Sequence, residues 1–117
     1  MQVLKMNRKS KRFYEILGPV FGSRVIEQET HDRFYDDPEK EWYVIPGQGA
    51  ASVKGEQIKN FWAVDKAAAD ELIDAMKGEH GTLHGVVPKQ QEKAFQEQGF
   101  LTFARRVNFI EVTYEKY

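Results

Sequence analysis

Apolar and polar positions follow two different periods along the chain. Val3, Leu4 and Met6 mark a short strand within residues 2–6. Phe13, Ile16, Leu17 and Val20 then fall at helical spacing and define one apolar face. The Gly18-Pro19 pair predicts a break in that helix, because proline lacks a backbone donor and disfavours helix at the residue before it. Ser23 is the expected N-cap of a second helix running to about Tyr35. The period then switches to strand. Trp42 to Ile45, Ala50 to Val53 and Ile58 to Val64 are three strands joined by the turns Pro46-Gly47-Gln48-Gly49 and Lys54-Gly55-Glu56. Turns that short predict an antiparallel meander. The run Phe61-Trp62-Ala63-Val64 is apolar on both faces, as suits an inner strand.

Helical spacing returns at Ala68, Leu72, Ala75 and Met76, with Gly78 and Gly81 as the expected stop. Leu83 to Val87 reads as a strand. Pro88 is placed to open a short helix through Gln98, closed by Gly99. Leu101 to Arg105 and Val107 to Tyr114 alternate as two closing strands. The order is β-α-α-β-β-β-α-β-α-β-β, an α/β (α+β) class with a mixed central sheet of about seven strands and four helices. With 117 residues the expectation is one domain, residues 1–117.

Composition narrows the classes of function. Apolar residues make up 41% and charged residues 30%, which fits an ordinary globular chain. No apolar run approaches the roughly 18 residues of a membrane helix, and no signal peptide is visible. The absence of cysteine removes disulfides, thiolate metal sites and cysteine nucleophiles. A cytoplasmic location is the expectation. The net charge of −1 argues against a nucleic-acid partner for the whole chain, yet charge is uneven: residues 1–24 carry a net +5 and residues 27–41 a net −5. The first reading is two solvated segments that partly neutralise each other. The alternative is a partner or nucleic-acid surface at Arg8, Lys9, Lys11 and Arg12.

Ala94-Phe95-Gln96-Glu97-Gln98-Gly99-Phe100 carries an aromatic four residues before a Gly-Phe pair. Leu101 to Ile110 supplies closing strands after it, and Ala50-Ala51-Ser52-Val53 follows the first hairpin. Together with the element order, these segments resemble the GNAT (acyl-CoA N-acyltransferase) family over nearly the whole chain. The resemblance implies acetyl-CoA as cofactor and a small amine as substrate. It also implies a Gln/Arg-x-x-Gly-x-Gly/Ala loop for the cofactor's pyrophosphate, an Asn after the fifth strand and a Tyr general acid in the short helix.

This chain departs at each of those positions. It reads Val64-Asp65-Lys66-Ala67-Ala68-Ala69-Asp70 where the glycine loop belongs. Asp65 stands where an N-cap stands, so its carboxylate competes with a phosphate for the helix amides. Pro88 replaces the Asn and Phe95 the Tyr. The resemblance therefore implies a degenerate acetyl-CoA site and a binding or structural role. Trp62-Ala63-Val64 resembles a strand end of small phage-encoded GNAT-like proteins, which implies a virion or host-cytoplasm setting.

The alternative is an active small N-acetyltransferase. Phe61, Trp62, Ala63, Val64 and Lys66 would then hold acetyl-CoA, and Glu41, His84 or water would serve as base. His80 and His84 straddle a turn and fall short of a metal ligand set, so no metal is expected. Phe95 reads as a core residue. Arg105 and Arg106 read as the solvent end of a hairpin.

Overall fold

The computed structural model describes residues 2–116. Seven strands form one sheet: β1 (Leu4–Met6), β2 (Glu41–Ile45), β3 (Gly49–Lys54), β4 (Gln57–Ala63), β5 (Thr82–Pro88), β6 (Leu101–Phe103) and β7 (Phe109–Glu115). Four helices accompany them: α1 (Phe13–Phe21), α2 (Arg24–Thr30), α3 (Lys66–Glu79) and α4 (Glu92–Glu97). A single 3-10 turn over Lys89–Gln91 leads into α4. The element order is the expected one. Across the sheet the strands run β1-β2-β3-β4-β5-β7-β6. Every neighbouring pair is antiparallel except β4 and β5, which the α3 crossover makes parallel.

The sheet divides the core into two layers. On one face, α3 and α4 cover Tyr43, Val53, Ile58, Phe61, Leu83, Val87 and Ile110. On the other, α1 and α2 cover Met6, Trp42, Val44, Ala50 and Trp62. Strand alternation explains most of this assignment, since neighbours along a strand point to opposite faces. One irregularity shifts it. In the β3–β4 ladder Ser52 pairs with Asn60 and Val53 with Ile58, so Lys59 is an extra residue. That bulge puts Ile58 and Phe61, three positions apart, in the same layer.

Several boundaries differ from the sequence expectation. Gly18-Pro19 does not end α1, which continues to Phe21 with Pro19 inside it. Gly18 has no Cβ to meet the proline ring, and its carbonyl accepts from Gly22 N at 3.0 Å. The second helix stops at Thr30, short of Tyr35, because His31 takes a left-handed conformation with φ 55°. Ser23 does cap it, accepting from Ile26 N at 3.1 Å.

Later boundaries shift as well. The third helix runs through Gly78 to Glu79, and His80 N closes it on Met76 O at 3.1 Å. Val64 lies just beyond β4. Pro88 both ends β5 and caps the 3-10 turn that leads into α4, so the expected helix opens there as 3-10 and ends at Glu97. The closing strands are shorter than expected. Residues 104–108 form their connection, with Ala104 at φ 48° and Arg106 N bonded to Phe109 O. Arg105 and Arg106 are exposed there, as expected of a hairpin end.

Candidate functional site: the splay between the parallel strands

The two parallel strands pair at Gln57 with His84 and at Ile58 with Gly85, and then separate. Gly85 makes the close approach feasible. A Cβ built there would lie 2.5 Å from the Ile58 carbonyl oxygen. Immediately past that point the Lys59 bulge bends β4, which keeps pairing with β3 as far as Ala63. Strand β5 follows β7 to Pro88 instead. The result is a V that opens toward the C-terminal ends of both strands.

Aromatic packing fills the V on the α3–α4 side. The Phe61 and Phe95 rings meet edge to face with centroids 5.0 Å apart, and Phe95 meets Phe100 at 4.9 Å. Phe95 is completely buried, as a core residue should be. The mouth of the V remains open as a cavity of about 310 Å³ between the β4–α3 junction and the turn before α4. Ala63, Val64, Asp65, Lys66, Gln90 and Lys93 line it. Gln90 also reaches across to α2, donating to Glu29 O at 2.9 Å.

Two charged groups at this mouth, Asp65 and Lys66, already have partners, while Lys93 is exposed. Asp65 caps α3, its carboxylate accepting from Ala68 N at 2.9 Å. Lys66 Nζ lies 2.9 Å from Asp70 and 2.7 Å from Glu97, linking α3 to α4. Its hydrogen bonds to Glu97 and Asp70 raise the Lys66 pKa, and the Lys66 bond lowers that of Glu97.

The other sequence candidates lie elsewhere. Trp62 is buried on the face opposite Phe61, and its indole N–H donates to Glu29 at 3.3 Å. Glu41 starts β2 and is level with Val53, which pairs with Ile58 on β4. It therefore lies toward the closed end of the V, two strands away, with Asn7 Nδ2 3.4 Å from its carboxylate. His84 is exposed at the closed end itself, opposite Gln57. The geometry does not bring Glu41 or His84 to the mouth.

One constellation escaped the sequence reading. Behind the V, on the α1–α2 face, Asn60 Oδ1 accepts from Lys40 Nζ at 2.9 Å and from Ser52 Oγ at 2.6 Å. Asn60 Nδ2 donates to Asp32 at 2.9 Å. Lys40 is only 3% exposed. It also donates to Tyr35 O at 2.7 Å and stands 4.1 Å from the Tyr35 ring centre. Burial lowers the Lys40 pKa and raises that of Asp32. The cluster ties the segment between α2 and β2 across the sheet. Its one sequence signal was Asn60, a lone amide in an otherwise apolar strand end.

The two opposite charge blocks meet in the same region. Arg8 Nε lies 2.9 Å from Asp36, whose other oxygen accepts from Trp42 Nε1 at 2.9 Å. Arg12 pairs with Glu15, while Lys9 and Lys11 are exposed. At the far end of α3, His80 Nε2 is 3.1 Å from the Tyr43 hydroxyl. Among the described residues, no group of three or more His, Asp or Glu side chains is placed to hold a metal, and no helix is long and apolar enough to cross a membrane.

No protein-family model matches the chain, and no curated protein matches its sequence. Among solved structures, the N-acetyltransferase PseH of Campylobacter jejuni is similar, with a TM-score of 0.61 at 17% identity. The match covers 98% of this chain and 99% of that one. The chain has the GNAT fold. At that identity the likeness carries architecture and not chemistry. Within that fold, the parallel β4–β5 pair and the cavity beyond it are the most distinct structural feature of this chain.

Proposed function

We propose that this GNAT-fold protein acts by binding, with its acetyl-CoA site degenerate. The observation that carries the reading is the Asp65 carboxylate on Ala68 N, at the helix end where a pyrophosphate needs free amides. A dianionic group there would meet a fixed negative charge in place of a cradle. The local backbone has no glycine from Val64 to Asp70 to allow a closer approach. Lys66 offers little compensation, because two carboxylates already hold it. Pro88 and Phe95 add no hydrogen-bonding side chain along the same path. Acetyl-CoA therefore fits this mouth poorly at its charged end.

The competing reading is an active small N-acetyltransferase. The cavity at the mouth favours it, since about 310 Å³ is room for a slender uncharged arm. Titration calorimetry with acetyl-CoA decides between the two. The binding reading expects no heat at roughly 1 mM ligand, where even a weak site would respond. Micromolar affinity would overturn it. A panel of small amines assayed for acetyl-CoA turnover then tests the transferase reading directly. The binding role predicts no product above the enzyme-free rate.

A further inference from the structure

A second cavity lies across β4 from the mouth, on the α1–α2 face. It encloses about 410 Å³ between α1, the first turn of α2 and the turn that joins β2 to β3. That volume falls within the roughly 300–1,000 Å³ of small-molecule sites. Ile16, Pro19, Val20, Ile26, Pro46 and Trp62 line it, and none of them lines the mouth. The walls are held in place. Ser23 Oγ accepts from Ile26 N at 3.1 Å and fixes the start of α2. Gln48 N donates to Ile45 O at 2.8 Å and closes the β2–β3 turn. Pro19 and Pro46 stiffen two of the walls. Trp62 is buried with Val20 and Ile26, and its indole N–H is bonded to Glu29 on α2.

We infer that this cavity binds a neutral small molecule with an apolar ring. Its charged rim groups, Arg12 and Glu15, are already bonded to each other. Arg12 Nε donates at 2.8 Å and Nη2 at 3.3 Å, each to a different carboxylate oxygen. The two charges cancel, so the rim selects neither an anion nor a cation. A carboxylate or ammonium on the ligand would have to break that pair or give up its hydration. Water is a poor occupant as well. It needs two to four polar partners, and a cavity that lacks them takes apolar molecules instead. Trp62 adds a broad aromatic surface, which favours a ring over an open chain. The large exposed apolar side chains nearest in sequence, Tyr14 and Val25, are not part of the lining. An enclosed apolar floor beneath a polar rim suits a small molecule better than a protein surface. The site needs nothing from the β4–β5 mouth and stands whether or not acetyl-CoA binds there.

Indole, a neutral ring molecule, is the probe, titrated into the full chain and followed by heteronuclear NMR. For a ligand of about nine heavy atoms the expected dissociation constant is about 0.5 mM. Saturable shifts should centre on the Trp62 indole N–H and the Val20 and Ile26 amides, with Lys66 and Lys93 at the mouth unmoved. Indoleacetate and tryptamine, the anionic and cationic relatives, should bind at least about fivefold more weakly. Ile16→Trp should fill the cavity and remove saturable binding up to about 5 mM indole. Val20→Thr keeps the volume and sets a hydroxyl among the apolar groups, so it tests the site even if Ile16→Trp misfolds. It should weaken binding by about threefold or more. No saturable shift in the parent up to about 5 mM indole would overturn the inference. So would equal affinity for the charged relatives, binding undiminished in both variants, or shifts centred on the mouth. Trp62 shifts that grow with protein concentration alone would place a second copy in the cavity and overturn it too.

Discussion

Gly85→Ala tests the geometry on which the splay depends. The new methyl would lie 2.5 Å from the Ile58 carbonyl oxygen and 3.0 Å from Ile58 Cβ. The oxygen belongs to a strand hydrogen-bonded on its other side to β3, so it cannot swing away as a side-chain tip would. Overpacking in a rigid core costs about 1–3 kcal/mol. Pushing β4 from β5 also weakens a ladder of only two residue pairs, at about 1 kcal/mol per lost bond. The total is about 2–4 kcal/mol. For a domain of this size each kcal/mol lowers Tm by about 4 °C, so a drop of about 8–16 °C is expected.

Gly78→Ala is the internal control. That glycine sits in α3 with nothing within 4 Å of a built Cβ. Alanine there should stabilise by about 0.5 kcal/mol through helix propensity alone. Thermal unfolding followed by circular dichroism reads both variants. A Gly85→Ala protein as stable as the parent would refute the register at Ile58 and Gly85, and with it the position of the V.

Other expectations concern the polar groups around the site. Lys40→Met should cost about 3 kcal/mol in a urea titration, because Tyr35 O and Asn60 lose a donor and Asp32 loses its nearby cation. A neutral result would mean that the buried cluster holds nothing in place. Asp65→Ala should lower stability by about 1 kcal/mol through loss of the cap, readable as a fall of about 4 °C in Tm. Asp32→Asn probes pH. Burial raises the Asp32 pKa despite Asn60, the Arg33 amide and Lys40. The folded state thus holds that proton more tightly than the unfolded chain. Its stabilising effect is fully present below the ordinary aspartate range and is lost as pH rises through the raised value. The variant should gain on the parent in urea midpoint between about pH 4 and about pH 7. A difference that shrinks over that interval would contradict the assignment.

Much of the architecture was legible because it rests on local pattern. The two short turns of the meander, the apolar stripe of α3 and the Asp65 cap are each written in neighbouring residues, and each formed as read. Boundaries failed where a local signal was outweighed. Gly18 removed the Cβ clash with the Pro19 ring, one of the two clashes that disfavour helix at a proline. Residues 32–40 left the helix because Phe34, Asp36 and Lys40 have partners on the sheet, twenty positions away in the case of Asn60 and nearer for Trp42. Pairings of that range leave no periodic trace.

The site shows the same limit in sharper form. Phe61, Trp62, Ala63 and Val64 were legible as a strand end and Lys66 as the connection after it, and Ala63, Val64 and Lys66 do line the mouth. What alternation concealed was the bulge at Lys59. Without it, Ile58, Asn60 and Trp62 would all face α1 and α2. With it, Ile58 joins Phe61 beneath α3, while Asn60 remains on the far side to meet Lys40, Ser52 and Asp32. One extra residue thus does two things at once. It bends β4 away from β5 to open the V, and it lets an amide sit behind the opening without entering the aromatic layer. The closed polar cluster and the open mouth are two faces of one distortion. A variant that deletes Lys59 should therefore disturb both together: Asn60 would lose its register against Ser52, and β4 would straighten toward β5. Loss of the cluster with the V intact would show that the bend has another cause.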